Sequence, residues 1–235
     1  MTKAKKVVWV ILLIICLGGL VFAVYNLVLE KRVYQQAVEE YQELAEEVGQ
    51  QIDFDLLRAI NADCVGWIRV EGTGINYPIV QGETNDTYLR TTFRKKANRS
   101  GSIFMDYRNS ADFSDHNTLI YGHNMRNGSM FADLVKYQDQ AFFDRHPVFM
   151  IYTPQQNYQC EVFSAYVIKS SGDSFLIDFP TDAVFQDYLQ YVTKQSQLMT
   201  NIRLLPAEKI VTLSTCEYQF DEARMLVHAK LKAVD

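Results

Sequence analysis

The sequence predicts a mainly β domain with added helices, carried behind an apolar N-terminal segment. Three observations lead to this prediction: an apolar run at residues 7–29, eight short stretches of strand composition from Gly66 onward, and two helical stretches among them. Eight strands in one domain of this size are typical of a barrel or a sandwich. The 235 residues, of which 48% are hydrophobic and 22% charged, suit one sizeable globular domain with a short appendage.

The predicted strands are runs of aliphatic, aromatic and β-branched residues bounded by turn residues. They are Trp67–Val70, Ile75–Val80, Ser102–Asp106, Thr118–Tyr121, Val148–Thr153, Tyr158–Ile168, Lys209–Thr215 and Ala223–Lys232. Two stretches repeat their apolar residues at three- and four-residue steps and are predicted to be helices, Met130–Tyr137 and Asp182–Leu198. No internal repeat or low-complexity tract interrupts this region, so we expect one domain.

Charge and cysteine content exclude several classes of protein. The formal net charge is −5, and Lys and Arg cluster only within the first six residues. A nucleic-acid partner is therefore not expected, because phosphate binding needs a concentrated basic surface. The four cysteines, at positions 16, 64, 160 and 216, are widely spaced and form no C-x-x-C pair. We expect no disulfide framework, no metal site and no cofactor.

Residues 7–29 are predicted to be a transmembrane anchor. At ~1.5 Å per residue, a helix of this length crosses a hydrocarbon core roughly 30 Å thick. Lys3, Lys5 and Lys6 precede the run, so residues 1–6 are expected to be a cytoplasmic tail and the rest of the chain extracytoplasmic. The alternative is a signal peptide cleaved near Ala23. The apolar run continues past Ala23 to residue 29, which favours the anchor.

Residues 30–62 are predicted to be a helical stem between the anchor and the β-rich domain at 63–235. The apolar residues of the stem recur at helical spacing, namely Val33, Ala37, Tyr41, Leu44 and Val48. The glutamates lie largely off this stripe. A second short helix is expected around Leu57. We interpret the stem as a spacer that packs on the domain.

The most informative segment contains Cys216. Val211, Leu213 and Thr215 occupy alternate positions, which predicts that Cys216 lies on the opposite, polar face at the end of its strand. The last strand also has an alternating apolar set, namely Ala223, Met225, Val227, Ala229 and Leu231. Arg224 must then point away from that set, toward whatever Cys216 faces. A hairpin can bring the thiol and the guanidinium together.

A candidate partner for the thiol is His123. Gly122 ends the preceding strand, so the imidazole is expected on a loop. A cysteine and a histidine are the minimum apparatus for acyl transfer through a thioester. Cys64 and Cys160 have no paired base in the sequence, and we interpret both as buried hydrophobic residues.

These residues resemble the active site of sortases, the cysteine transpeptidases of Gram-positive bacteria, and most closely class B. The matching segments occur in the expected order and are Val65–Ile68, Asn76–Gln81, Gly101–Arg108, Tyr121–Met125, Gly128–Phe131 and Thr212–Cys216, with Arg224 downstream. The resemblance covers nearly all of the region after the anchor. It implies an eight-stranded β-barrel with N-terminal helices and a long helix between the sixth and seventh strands.

The resemblance also implies a mechanism. Cys216 would attack the Thr-Gly or Thr-Asn bond of a C-terminal sorting signal in a secreted protein. His123 would transfer protons, and Arg224 would stabilise the oxyanion together with the backbone N–H of Glu217. An amine of a lipid-linked peptidoglycan precursor would resolve the thioester at the outer face of the cell membrane.

Six residues are expected to bind the substrate because they match groove positions of the family. They are Asn85, Leu89, Tyr121, Ser214, Thr215 and Glu217. Glu217 is expected to contribute only its backbone amide.

Three other functions remain open from the sequence. A pilin-polymerising sortase would use the same chemistry on a different acceptor. A cysteine hydrolase of the papain or amidase type usually has its cysteine before its histidine, whereas here His123 precedes Cys216. A membrane-tethered β domain without catalytic activity would leave Cys216 unreactive.

Overall fold

In the computed structural model, the described residues are 3–49, 51–170, 173–205, 207–216 and 222–234. The chain starts with α1 (Lys3–Val48), one uninterrupted helix that covers both the predicted anchor and most of the predicted stem. Its N-terminal part is long and apolar enough to cross a membrane, and large apolar side chains such as Leu13 and Phe22 are exposed there. The short helix α2 (Phe54–Ile60) follows, and the Asp53 side chain caps its N-terminus.

Eight strands close into a barrel in the order β1-β2-β3-β4-β7-β8-β6-β5. Their bounds are β1 Cys64–Arg69, β2 Asn76–Gln81, β3 Ile103–Met105, β4 Asn117–Tyr121, β5 Val148–Tyr152, β6 Asn157–Lys169, β7 Ile210–Cys216 and β8 Ala223–Val234. Pairing of β1 with β5 closes the barrel. Closure gives each of these eight strands a hydrogen-bonded neighbour on both sides.

Two parallel pairs interrupt an otherwise antiparallel sheet, β2 with β3 and β4 with β7. Parallel neighbours need a crossover connection. The first crossover is the loop of residues 82–102, which we call the β2–β3 loop. The second runs from β4 through β5 and β6 to β7. The barrel interior is filled by alternate residues of the strands, such as Ile68, Ile79 and Leu213.

Helices cover the outside of the barrel. A 3-10 helix (Ala132–Gln138) and α3 (Gln140–Arg145) follow β4, and α4 (Asp182–Gln195) lies between β6 and β7. Helix α4 begins at the capping residue Thr181. Its apolar stripe buries Phe185, Tyr188, Leu189 and Val192 in a second cluster with Phe163, Tyr166, Ile210 and Leu226 on the outer face of β6, β7 and β8.

The predicted fold class is confirmed, and closure decides for the barrel over the sandwich. All eight predicted strands exist, with ends shifted by a few residues. Helix α4 ends at Gln195 rather than Leu198, and the helix predicted at Met130–Tyr137 is a 3-10 helix. Helix α3 was not predicted, because six residues are too few to show a helical period.

Candidate active site

Cys216 and Arg224 are direct cross-strand partners at the open end of the β7–β8 pair. Opposite residues of an antiparallel pair share a face, so both side chains leave the barrel on the same side. The predicted alternation explains this placement, because Val211 and Leu213 fill the core between them. An Arg224 Nη1 donates to the carbonyl oxygen of Ala223 at 3.1 Å.

The parallel pair of β4 with β7 brings His123 to the same end of the barrel. Tyr121 is the partner of Ser214, and the Gly122 N–H donates to the Ser214 carbonyl at 3.1 Å. His123 follows Tyr121 by two residues, and Cys216 follows Ser214 by two residues. Both therefore lie at the same end of the strand pair. Gly122 is required at this turn, since a Cβ there would lie 2.4 Å from Ile103 Cδ1.

Hydrogen bonds of His123 and Asn124 hold the loop that carries the histidine. The His123 Nε2 lies 2.7 Å from the carbonyl oxygen of Leu89. A carbonyl only accepts, so Nε2 carries a proton in this contact and Nδ1 is the nitrogen left to exchange one. The neighbouring Asn124 donates from Nδ2 to the Cys216 carbonyl at 3.0 Å, which ties the histidine loop to the cysteine strand.

These groups line a cleft with a volume of about 400 Å³. The predicted site residues that line it are Asn85, Leu89, Tyr121, His123, Ser214, Thr215, Cys216 and Arg224. Glu217, the remaining predicted residue, lies outside the described residues. The structure therefore places every described candidate in one cleft.

A buried carboxylate, Asp106, organises one wall of this cleft. It accepts hydrogen bonds from Arg108 (Nε, 2.8 Å), from Asn85 Nδ2 (3.0 Å) and from the Tyr121 hydroxyl (3.0 Å). Burial alone would raise the pKa of Asp106, but the bonds from Arg108 and Asn85 outweigh burial and lower it. Burial together with this carboxylate raises the pKa of Tyr121. Tyr121 is thus held as a neutral phenol.

Two residues that line the cleft, Ser214 and Thr215, have buried hydroxyl groups. Ser214 and Thr215 are buried, and within the part of the chain that the structure describes neither hydroxyl oxygen has a hydrogen-bond partner. Such groups are uncommon because an unpaired buried hydroxyl is costly. Ser214 shares the strand face of Cys216, whereas Thr215 lies on the face of Leu213.

The other cysteines have different surroundings. Cys64 and Cys160 are buried in the core, and burial raises the pKa of Cys64 to about 12 and that of Cys160 well above its usual value. Both therefore stay protonated and unreactive at neutral pH. Cys216 is only partly buried and opens onto the cleft. The predicted contrast between the three thiols is present in the structure.

Four residues of the site were not predicted as such. Asp106 and Arg108 follow β3, Asn124 follows His123, and Phe175 lines the cleft from the segment before α4. An aspartate and an arginine two residues apart at a strand end are a weak sequence signal. Their role becomes visible only once Asn85 and Tyr121 are seen to meet at Asp106.

Comparisons with known proteins agree with the geometry. Residues 68–232 match the profile of the sortase domain. Sortase B of Listeria monocytogenes is 44% identical over 179 residues, covering 74% of this chain and 72% of the relative. Sortase B of Staphylococcus aureus is 35% identical over 206 residues, covering 86% and 84%.

A solved structure, a Staphylococcus aureus sortase B–substrate complex, superposes with a TM-score of 0.78 at 34% identity and covers 86% of this chain and 98% of that one. The sortase B of Bacillus anthracis in complex with AAEK1 gives a TM-score of 0.80 at 35% identity, covering 86% and 99%. Sequence and structure agree on family and class: the chain belongs to the sortase family and is a class B sortase transpeptidase.

Proposed function

We propose that this sortase cleaves a C-terminal sorting signal of secreted proteins at a Thr-Gly or Thr-Asn bond and joins the new carboxyl end to an amine of a lipid-linked peptidoglycan precursor. The observation that carries the proposal is the cross-strand pairing of Cys216 with Arg224 in a cleft that also contains His123. The similar Staphylococcus aureus enzyme has been solved with a substrate, which supports peptide binding here.

In the first half of the reaction, the Cys216 thiolate attacks the threonine carbonyl carbon. The carbonyl oxygen gains a negative charge, and Arg224 stabilises it from across the strand pair. Arginine suits this role because its charge is permanent and its donors are planar and directional. The C–N bond then breaks, His123 gives a proton to the departing amine, and a thioester remains on Cys216.

In the second half, the acceptor amine attacks the thioester carbonyl. His123 takes a proton from the amine, an amide bond forms, and Cys216 leaves as a thiolate. The Nδ1 nitrogen of His123 is the one that we expect to exchange protons, since Nε2 is engaged with the Leu89 carbonyl. The same imidazole serves as acid and then as base.

The substrate backbone would lie along the polar side of the cleft. Ser214 shares the strand face of Cys216, and Thr215 directly precedes Cys216 in the lining of the cleft. Asn85 and Tyr121 are held by Asp106. Leu89 adds an apolar surface. We assign substrate contact to these five residues, and to Glu217 through its backbone amide.

The proposal includes the location of the enzyme. The apolar part of α1, residues 7–29, would anchor the chain in the cell membrane, with residues 1–6 in the cytoplasm, residues 30–62 as the stem and residues 63–235 as the catalytic barrel outside. The length and apolar exposure of the helix support this. Protease added to intact cells or protoplasts should digest the barrel and leave the first residues intact. Digestion of the barrel only after lysis would show that the barrel lies inside the cell, contrary to the proposal.

The test is a panel of fluorogenic peptides that carry Thr-Gly or Thr-Asn bonds, given to the full chain in detergent with an amine acceptor. Wild-type enzyme should form a thioester on Cys216, detectable by mass spectrometry of the trapped intermediate, and then the amide product. Cys216→Ala should form neither, whereas Cys16→Ser, the matched loss of a thiol far from the cleft, should keep both. An acyl-enzyme in Cys216→Ala would overturn the proposal.

A further inference from the structure

We propose that helix α1 is a positioning element of the active site and not only a spacer: Glu40 and Tyr41 hold the β2–β3 loop, and this loop holds the imidazole of His123. The inference deepens the proposed function, because it rests on His123 as the proton carrier. The two residues lie well beyond the apolar part of the helix, at the point where α1 meets the barrel.

Tyr41 makes the closest contact between the helix and the loop. Its buried hydroxyl donates to the Gly101 carbonyl at 2.7 Å and accepts from the Phe93 N–H at 3.3 Å. Burial raises the pKa of Tyr41, so the phenol keeps the proton that it donates. Its ring also packs edge-on against Tyr77 of the barrel, with the ring centres 5.2 Å apart.

Glu40 adds a buried charge to the same contact. Only 5% of the residue is exposed, although it is a carboxylate on a surface helix. Its Oε1 accepts from the Arg94 N–H at 3.0 Å, and its Oε2 lies 3.5 Å from Lys96 Nζ. Burying a carboxylate is expensive unless it is paired and hydrogen-bonded, so the loop is bound to α1 at a specific position.

The other side of the loop reaches the catalytic histidine. Gly101, the acceptor of Tyr41, has a φ of +57°. A Cβ on Gly101 would lie 2.6 Å from the Leu89 carbonyl oxygen, so the two backbones are in close contact. That same oxygen is the partner of His123 Nε2 at 2.7 Å. A chain of direct contacts therefore joins Tyr41 to His123 through Gly101 and Leu89.

The loop between these contacts is braced internally. Asn98 N–H donates to the Arg90 carbonyl at 2.9 Å, and Ser102 N–H donates to the Tyr88 carbonyl at 3.1 Å. A further bond joins the Asn98 side chain to the Val33 carbonyl of α1 at 2.8 Å. Because the two sides of the loop are hydrogen-bonded to each other, we expect a shift where the loop contacts α1 to move Leu89 as well.

The chemical consequence concerns the tautomer of His123. As long as the Leu89 carbonyl stays in place, the Nε2–H form is favoured and Nδ1 is free to exchange protons with the thiol, the leaving amine and the incoming amine. If the loop shifts, the imidazole loses this acceptor and both tautomers become available. Helix α1 then governs the fraction of enzyme that has the productive form.

The experiment compares the full chain in detergent with the variants Tyr41→Phe and Glu40→Gln. Tyr41→Phe removes the hydroxyl that bonds to Gly101 and Phe93. Glu40→Gln removes the charge that faces Lys96 and weakens the bond from the Arg94 N–H. Both changes keep the size of the side chain. Glu43→Gln is the matched control, since Glu43 is exposed on the same helix. Two readouts are used: kcat with a fluorogenic sorting peptide, and the ¹⁵N NMR shifts of the His123 ring, assigned with His123→Gln.

We expect the wild-type ring to show the Nε2–H tautomer and both variants to show a mixture. The kcat value should fall about fivefold in each variant, which corresponds to a loss of ~1 kcal/mol in the preference for the Nε2–H form, and Glu43→Gln should match wild type. Hydrogen exchange at Leu89 and Gly101 should become faster in both variants. Unchanged ring shifts and kcat in Tyr41→Phe and Glu40→Gln would overturn the inference.

The Cys216→Ala enzyme, measured alongside, separates the two proposals. If Cys216→Ala is inactive while the α1 variants behave like wild type, the stem has no positioning role but the proposed chemistry stands. If Cys216→Ala still turns over the peptide, the proposed chemistry itself is wrong, whatever the α1 variants do.

Discussion

Cys216 and Arg224 face each other directly across the last two strands of the barrel. Cross-strand partners lie ~4.5–5.5 Å apart at the Cα or Cβ atoms, so the sheet itself holds the start of the Arg224 side chain beside Cys216. In the proposed reaction, charge that develops on the carbonyl oxygen would meet a donor carried by the neighbouring strand.

Replacing this arginine tests its role in the transition state. Arg224→Lys keeps the charge but loses the planar pair of donors, so we expect kcat/KM to fall by roughly 10²-fold, the usual cost of one oxyanion donor. Initial rates with a fluorogenic peptide measure the loss. Lys232→Arg, an exposed change on the same strand, should leave the rate unchanged. Near-normal turnover in Arg224→Lys would mean that Arg224 has a different role.

Reactivity should distinguish the thiols. A thiol-reactive sulfone should modify Cys216 first, because Cys64 and Cys160 are buried and burial raises the pKa of both. Mass spectrometry of digested protein identifies the modified site. A Cys16→Ser background removes the exposed thiol of α1, which would otherwise react as well. Equal modification of Cys64 and Cys216 would contradict the assignment of the nucleophile.

The shared strand face of Cys216 and Arg224 could be predicted from the sequence. The strand order of the barrel and the contacts around the site could not. A period of two determines which strand residues share a face, and this holds for β7 and β8 without knowledge of the fold. The closed order of the strands depends on two parallel pairs, which are formed by residues far apart in the chain. No local pattern encodes such pairs.

Asp106 shows the same limit at the level of one residue. Its partners Asn85 and Tyr121 are 21 and 15 positions away in the chain. They converge on Asp106 because β3 pairs with β4 and because the β2–β3 loop, which contains Asn85, contacts the residues that follow β3. The stem was also predicted to be helical and to pack on the domain. Its contacts with that loop depend on the loop's shape, which the sequence does not reveal.

Removing the charge of Asp106 should weaken substrate binding and stability together. Asp106→Asn would disrupt the bonds to Arg108, Asn85 and Tyr121, so we expect KM for the peptide to rise about tenfold and the free energy of unfolding to fall by about 2 kcal/mol. Peptide kinetics and urea unfolding measure the two effects. Asp144→Asn, at an exposed position, is the control. An unchanged KM would remove Asp106 from substrate positioning.

The stabilising effect of Asp106 should also depend on pH. The pKa of Asp106 is lowered in the folded chain, relative to about 4 in the unfolded chain. Its contribution is therefore complete above about pH 5 and is lost as the pH falls through the lowered folded value. The stability difference between wild type and Asp106→Asn should be constant from about pH 5 to 7 and shrink below pH 4. A difference that grows below pH 4 would contradict this.

The last prediction concerns His228, which lies behind the site in a buried polar cluster. Its ring contacts the Thr212 hydroxyl at 2.8 Å and the Tyr166 hydroxyl at 3.0 Å, and the Tyr166 hydroxyl lies 2.9 Å from Ser174 Oγ. Burial lowers the pKa of His228 to about 3. The imidazole is therefore neutral in the folded protein over the physiological range and serves to join β6, β7 and β8 to the segment before α4.

This neutral histidine should make the enzyme less stable in mild acid. Between about pH 6.5 and pH 3 the unfolded chain binds a proton at His228 that the folded chain does not. The free energy of unfolding therefore falls by up to ~1.4 kcal/mol for each unit by which the pH is lowered. Urea unfolding at several pH values measures the slope. His228→Gln should flatten the slope, and a slope that stays as steep in His228→Gln would contradict this prediction.

An NMR titration of the folded wild type checks the same point without a substitution. The ring signals of His228 should stay constant from pH 7 to pH 5, since the folded protein does not take up the proton. If the ring instead titrates near pH 6.5, burial does not exclude the charged form, and the slope in acid must come from other groups.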